Sequence, residues 1–349
     1  MYDEFFVLTL AILFALLLRW AFKTLPAEKW QIMASIPVSK EGTDKWKGLN
    51  LTYYGLFSAS ATVTAVLVMF VLLAAIQVPV KAIVVLVALV FALCFPAAKV
   101  VARLVEKKPH TLTIAGASFL GIIAAPFAVW LADFVCGPTA NHVMVLPALA
   151  SISIAYGLGE GLGRLACISF GCCYGKPLSQ CGPWTQRVFN RYPFVFSGKT
   201  KKIAYEGELE GANVVPIQAV TSVLYIAVSL AAVLLYLKSH YCAALILVIV
   251  VTQAWRALSE TLRADHRGGG SITAYQIMAL LAIAYVFLLL AILGPEPLPT
   301  ADLKAGMASL WNPAVLILVQ LTGLVSFLYT GRSMVTESSM SFHVVRDRI

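Results

Sequence analysis

Charge is scarce in this chain: Asp, Glu, Lys and Arg make up 12% of 349 residues, against roughly 25% in an ordinary soluble domain. With so little ionic surface, and 60% hydrophobic residues, a water-facing globule is excluded. Acids are the scarcer sign, 17 against 26 Lys and Arg. The net charge of +9 raises nucleic acid as a partner, but the cations fall in short stretches between apolar runs. That placement fits contacts with anionic lipid headgroups, so no nucleic-acid partner is expected. A secretory disulfide framework is also missing, because the seven cysteines are odd in number and four are bunched between Cys167 and Cys181. No small-residue cleavage site follows the first apolar run, which is therefore expected to be retained. No internal repeat is evident.

What the chain has instead is long apolar runs. About 20 such residues cross a bilayer as a helix. Runs at 5–22, 53–77, 80–104, 112–136, 145–172, 215–237, 241–263, 272–294 and 310–331 meet that length. The expectation is an all-α polytopic membrane protein of about nine segments. Two polar insertions interrupt the pattern. Residues 23–50 are expected at the membrane interface, and 176–213, rich in Gly, Pro, cations and aromatics, as a small extramembrane head. The tail from Arg332 is polar and expected to be mobile.

The cations set an orientation. If successive segments alternate sides, the face carrying 176–213 collects 23 of the 26 Lys and Arg; only Lys81, Lys238 and Lys304 fall on the other. By the positive-inside rule that face is cytoplasmic.

Three constellations carry the candidate chemistry. The first is Tyr156–Lys176, YGLGEGLGRLACISFGCCYGK. An unpaired Arg164 in this apolar run costs roughly 2.5–3.5 kcal/mol on insertion scales, so it marks a site for an anion or snorkels to the headgroups. Its alternating glycines, Gly157 to Gly163, permit either close helix packing or an unwound backbone aimed at phosphate. The second is Trp255–Arg267, WRALSETLRADHR, where Arg256, Glu260 and Arg263 are spaced to share one helix face. Two arginines bracketing one glutamate leave a positive excess suited to a phosphodiester; Asp265 or His266 is available as a base. The third is the cysteine run C-x4-C-C-x7-C. It lacks C-x2-C spacing and a nearby histidine, so no metal site is expected. Reactive thiols or small packing residues are the readings, with Arg164 favouring a thiolate if it lies close to Cys167 or Cys172. Gln218, two residues after Pro216, opens the sixth segment.

Taken in order, these pieces resemble the bacterial prolipoprotein diacylglyceryl transferase family. Its members move diacylglyceryl from phosphatidylglycerol to the lipobox cysteine thiol of a preprotein and release glycerol phosphate. The family signature G-R-x-G-N-F-x-N-G-E-x-W-G is similar to Gly163–Gly175, which keeps Gly163, Arg164, Gly171, an aromatic at Tyr174, and Gly175. Its H-P-S-Q-L-Y-E retains Pro216 and Gln218 here. Its F-R-x-x-x-E-F-x-R is similar to Trp255–Arg263 and complete at the charged positions Arg256, Glu260 and Arg263. Weaker matches are Lys99 for an arginine ending an earlier helix and Ser118–Gly121 for H-G-G-L-I-G. The resemblance covers about 53–294. It implies a seven-helix family-like membrane core over those residues, with the head 176–213 inserted in it. Residues 1–52 and 295–349 then each add one apolar segment, the first with a polar loop and the second with a polar tail.

The resemblance also implies roles. Arg164, Arg256, Arg263, Gly163, Gly175 and Gln218 would bind phosphatidylglycerol or another anionic phospholipid. Glu260 would be catalytic, the acceptor would be a preprotein, and no cofactor or metal would be required. In a separate variant, read from the residues and not from the resemblance, Cys172 or Cys173 takes part as a nucleophile or proton carrier. Where the family carries a histidine often proposed as a base, this chain has none near Gly116–Gly121. Cys167, Phe170 and Cys172 replace two asparagines and a glutamate. The chain therefore resembles a divergent paralogue. The alternative reading is a phospholipid-binding protein, or a lipid or anion transporter, that kept the headgroup site without the transfer. The expected location is the bacterial inner membrane. On that membrane the resemblance implies an outward-facing site, whereas the cations imply an inward-facing one.

Overall fold

The computed structural model describes residues 2–107, 113–137, 143–265, 272–294 and 298–349. Backbone polar groups find no partners in hydrocarbon, so each apolar run satisfies them internally as a helix. Nine helices among the described residues are long and apolar enough to span. They are α1 Tyr2–Thr24, α2 Tyr53–Ala75, α3 Val80–Val101, α4 Ile114–Cys136, α5 Val145–Phe170, α6 Ile217–Leu237, α7 Tyr241–Ser259, α8 Ala274–Ile292 and α9 Pro313–Thr330. A π-turn, Ala102–Glu106, prolongs α3, and a 3-10 turn, Glu260–Leu262, prolongs α7. The nine expected segments are all present, with their ends moved by a few residues.

Helix α5 is the axis of the bundle. Its most apolar stretch is 72% buried, against 11% for α1 and 6% for α9. Helices α2, α6, α7 and α4 pack around it, while α1 lies against α6 and α9 against α2. Its helix runs unbroken from Val145 to Phe170, so the glycines serve packing and not an unwound loop. A Cβ on Gly157 would fall 2.2 Å from Ser229 Oγ, and one on Gly161 2.9 Å from Ile226. Backbone contact at this crossing is sealed by Ser222 Oγ, which donates to Gly161 O (2.7 Å).

Outside the membrane the expectation of an all-helical chain needs one addition. Residues 23–50 are more than a loop, and the C-terminal tail, expected to be mobile, is held in a strand. They supply β1 Ile32–Glu41, β2 Lys45–Thr52 and β3 Arg332–Met340 of one antiparallel sheet in the order β1-β2-β3. Asn50 is fully buried within it; its side chain accepts from Ser35 Oγ (2.6 Å) and Ser338 Oγ and donates to Thr336 Oγ1 (3.2 Å). Below the sheet, Thr52 N donates to Gly331 O (2.9 Å), fastening the start of α2 to the end of α9.

The head 176–213 is compact. Val214 bridges to both Pro177 and Phe194, and the buried Phe194 and Phe196 stack edge-on at 5.8 Å. Phe22 of α1 meets Phe194 at 6.0 Å, so the first helix supports the head.

Candidate functional site

Glu160 lies at the centre of the site. In a helix, residues at i, i+4 and i+8 share a face, and α5 places Tyr156, Glu160 and Arg164 there. Glu160 is 5% exposed. One of its carboxylate oxygens accepts from Arg164, and the other accepts from Arg256 of α7. The Tyr156 hydroxyl accepts from Arg256 Nη2 (3.0 Å) and from Gln253 Nε2 (3.1 Å). Arg164 precedes the helix end at Phe170 by six residues, about 9 Å at 1.5 Å per residue. The cluster therefore sits below the level of the helix ends.

Two guanidinium groups share one carboxylate, which leaves one positive charge in surplus. Both arginines are buried, Arg164 at 7% and Arg256 at 6% exposure. Each also has its Nε–H buried with no hydrogen-bond partner among the described residues. A buried donor left unmade costs about 1–3 kcal/mol, more for a charged group. This three-residue cluster is thus short of one anion with acceptor oxygens, Glu260 being the other carboxylate that lines the same cavity.

Arg263 adds a third cation. It does not continue the helix face that the sequence spacing implied, because α7 ends at Ser259 and the 3-10 turn carries the chain into extended backbone at Arg263. There it forms a β-bridge with Gly175, and Ala264 N donates to Tyr174 O (3.2 Å) next along. Asp265 holds Arg263 through both oxygens (2.8 and 2.7 Å). Burial opposes the Arg263 charge, but the Asp265 carboxylate outweighs it and raises the guanidinium pKa. Asp265 is thereby engaged as a clamp. His266 lies outside the described residues.

Despite the altered path, Arg164, Arg256, Arg263 and Glu260 line one cavity together with Trp255 and Tyr225. Trp255 Nε1 donates to Thr221 Oγ1 (2.8 Å), which fixes the indole as a wall. The cavity's free volume is about 10 Å³, room for a single water. Glu260 accepts from Thr273 Oγ1 (3.4 Å). A larger cleft of about 360 Å³ opens beyond the bridge, between Tyr174, Gln180, Glu206 and Ala264.

The remaining expected residues, Gly163, Gly175 and Gln218, are not among those lining either cavity. Gly175 needs to be glycine, since a Cβ there would lie 2.3 Å from Val215 O. Gly163 is less demanding: its Cβ position meets only Ala61 at 3.9 Å. Gln218 is fully buried and donates to Cys172 O (2.9 Å), while its own Oε1 has no partner among the described residues.

The cysteines hold the largest difference from the sequence expectation. Helix α5 ends in a left-handed Gly171, φ 73°, with Gly171 N and Cys172 N both donating to Cys167 O (2.9 and 3.1 Å). Cys173 then takes φ 57°, rare for a side chain with a Cβ. The chain so turned brings the thiols of Cys167, Cys172 and Cys173 within 4.8 Å of one another. Linear spacing did not reveal this grouping, because a helix end and a left-handed turn shorten the path between Cys167 and Cys173. Cys181 stays outside the group, its thiol donating to Pro177 O (3.4 Å). Hydrogen bonding with Cys167 and Cys173, and then burial, hold the Cys172 pKa well above its usual range, so as a free thiol it is protonated at neutral pH.

Behind the thiols, Lys201 of the head is fully buried. Its Nζ donates to Ser169 O (2.5 Å) and to Leu25 O (3.2 Å), joining the ends of α5 and α1. Burial pulls its pKa from the usual 10.5 down to about 8. Between those values the unfolded chain binds the proton and the native protein does not, so stability rises with pH across that window. The apparent melting temperature in detergent is expected to climb from pH 8 to pH 10, and Lys201→Met is expected to flatten that climb. A wild-type profile already flat over this range would contradict the assignment.

Fold and site together define a multi-pass membrane protein with a buried, cation-rich cleft near one end of its central helix. The family model for prolipoprotein diacylglyceryl transferase matches residues 45–292, and the chain belongs to that family. The match begins within β2 and ends with α8, close to the 53–294 expected from the motifs. No curated protein matches the chain. Sequence reasoning had missed Glu160 and Tyr156. The available signal was an acid four residues before Arg164 within an apolar run, the spacing of a helical ion pair.

Proposed function

We propose that this protein is a transferase that binds phosphatidylglycerol and passes its diacylglyceryl group to an acceptor nucleophile, as its family does with a preprotein thiol. The observation that carries the reading is the Arg164–Glu160–Arg256 cluster, one positive charge in excess and with two buried N–H groups unmatched. A phosphodiester monoanion supplies the missing charge and the missing acceptors.

In the transfer, the acceptor sulfur forms a bond to the glyceryl carbon attached to the phosphate oxygen. That C–O bond breaks, and its electron pair leaves on the phosphate of glycerol phosphate. The leaving group becomes a dianion, so Arg164, Arg256 and Arg263 bind it more strongly as the bond breaks, which lowers the barrier. Glu260, in the same cavity where the chain leaves α7, is the carboxylate we assign to take the thiol proton. The larger cleft beside Tyr174 is the approach for the acceptor. The protein is assigned to a bacterial inner membrane.

A second reading rests on the small free volume of the cavity. A site with room for one water must open to admit a headgroup, and a phospholipid-binding protein or a lipid transporter would need only that opening. Purified protein incubated with labelled phosphatidylglycerol and a lipobox peptide separates the two. Release of glycerol phosphate with lipid on the peptide is the expected result. Binding without release favours the second reading, and no binding removes both.

The side of the membrane is open to a direct measurement. Single cysteines placed at Lys199 or Gln186, in the head, are expected to react with a membrane-impermeant maleimide in intact spheroplasts if the acceptor is a secreted preprotein. Reaction only after lysis would exclude that acceptor class and uphold the orientation that the cations imply.

A further inference from the structure

The thiols of Cys167, Cys172 and Cys173 point to a second site. We infer that they bind a single thiophilic d10 cation, Zn²⁺ or Cu⁺, through three sulfurs. The inference stands independently of the lipid reading.

The sulfurs lie within 4.8 Å of one another. Around one ion at a metal–sulfur distance of about 2.3 Å they would be about 3.8–4.0 Å apart, so assembly needs a contraction of under about 1 Å. Rotations about χ1 at the half-buried Cys172 and Cys173 can supply that. The backbone is already committed to the grouping: it takes a left-handed turn at Gly171 and holds Cys173 at φ 57°. Gln218 holds the Cys172 carbonyl (2.9 Å) and so limits how far this turn relaxes. A Cβ on Gly171 would press on Lys201 Cβ at 3.0 Å, so the head is packed directly against the turn.

Charge supports the assignment. Three thiolates with one such ion carry net negative charge. Arg164 acts electrostatically on Cys167 and Cys173, Arg263 on Cys173, and Lys201 and Lys202 on Cys172. Arg263 and Lys202 have carboxylate partners in Asp265 and Glu206. Lys201 is held by two uncharged carbonyls, so its charge is available to the sulfurs, while the Arg164 charge is already shared through Glu160 with Arg256. Soft thiolate donors select Zn²⁺ and Cu⁺ over the hard cations. No fourth His, Cys, Asp or Glu completes the group among the described residues. The fourth position of a tetrahedral ion is thus left to a water or an incoming ligand, the arrangement of an open site and not of a closed structural one.

The test uses the full chain, purified in detergent under anaerobic reducing conditions. After equilibration with Zn²⁺ and desalting, elemental analysis is expected to find about one zinc per chain. Cys167→Ser, Cys172→Ser and Cys173→Ser are each expected to lower retention at least tenfold, with Cys181→Ser unchanged. Co²⁺ is expected to give a thiolate-to-metal charge-transfer band that the three variants lose. Should a variant fail to fold, the wild type alone decides: Zn²⁺ is expected to protect these three cysteines, and not Cys181 or Cys242, from alkylation read by mass spectrometry. Three results would overturn the inference: metal retained no better than by the triple serine variant, uniform protection of all cysteines, or a native disulfide within the group that prevents uptake.

Discussion

Glu160→Gln is expected to destabilise the lipid-free protein by about 3–5 kcal/mol, the cost of leaving a buried charge without its partner. Here two guanidinium groups lose their shared carboxylate at once. The same substitution removes the group that competes with a phosphate for both arginines, so affinity for anionic lipid is expected to rise. The two effects have one signature. The apparent melting temperature of Glu160→Gln falls in detergent alone, returns on adding phosphatidylglycerol, and does not return with phosphatidylcholine. If both lipids restored it equally, or neither did, the carboxylate would not be occupying the place of an anion.

The reverse pattern is expected of Arg164→Ala and Arg256→Ala. Either leaves Glu160 with one arginine, a neutral pair, so the cost of an uncompensated charge does not arise. What disappears is the surplus cation and one unmatched N–H. Truncating one member of a buried, hydrogen-bonded charge contact costs about 2–5 kcal/mol of binding, which corresponds to a loss of about 30-fold to over 1,000-fold in phosphatidylglycerol affinity. Arg256→Lys is expected to recover little, because Arg256 gives Nη2 to both Glu160 and Tyr156 and still has Nε to offer, a second donor that a lysine lacks. Equilibrium binding in nanodiscs measures this, and wild-type affinity in both alanine variants would refute the headgroup site.

How much of this was legible beforehand depends on the range of the interactions concerned. The spans were plain, since a run such as 217–237 declares itself by hydropathy alone, and the charged positions Arg164, Arg256 and Arg263 could be read from motifs. Glu160 was readable in principle from its spacing to Arg164. Its second partner was not, because Arg256 is 96 residues away and only the crossing of α5 and α7 brings them together. The helical spacing of Arg256, Glu260 and Arg263 misled at its last member: the helix stops at Ser259, and a bridge to Gly175 takes over. The thiol group was hidden for a related reason, since a left-handed turn has no signature in the count of residues between cysteines. The sheet was the least visible element, as β3 is too polar to stand out and its partner lies far back in the sequence.

That last pairing has a consequence in time. Strand β2 ends at Thr52 and β3 begins at Arg332, so about 280 residues are translated between them. At about 5–20 residues per second the edge of β2 that β3 will cover waits, unpaired, for tens of seconds while eight of the nine spans are delivered to the bilayer. Closing the sheet is therefore a late event in the biogenesis of this protein, and it joins the second and last helices only when the chain between them has been made.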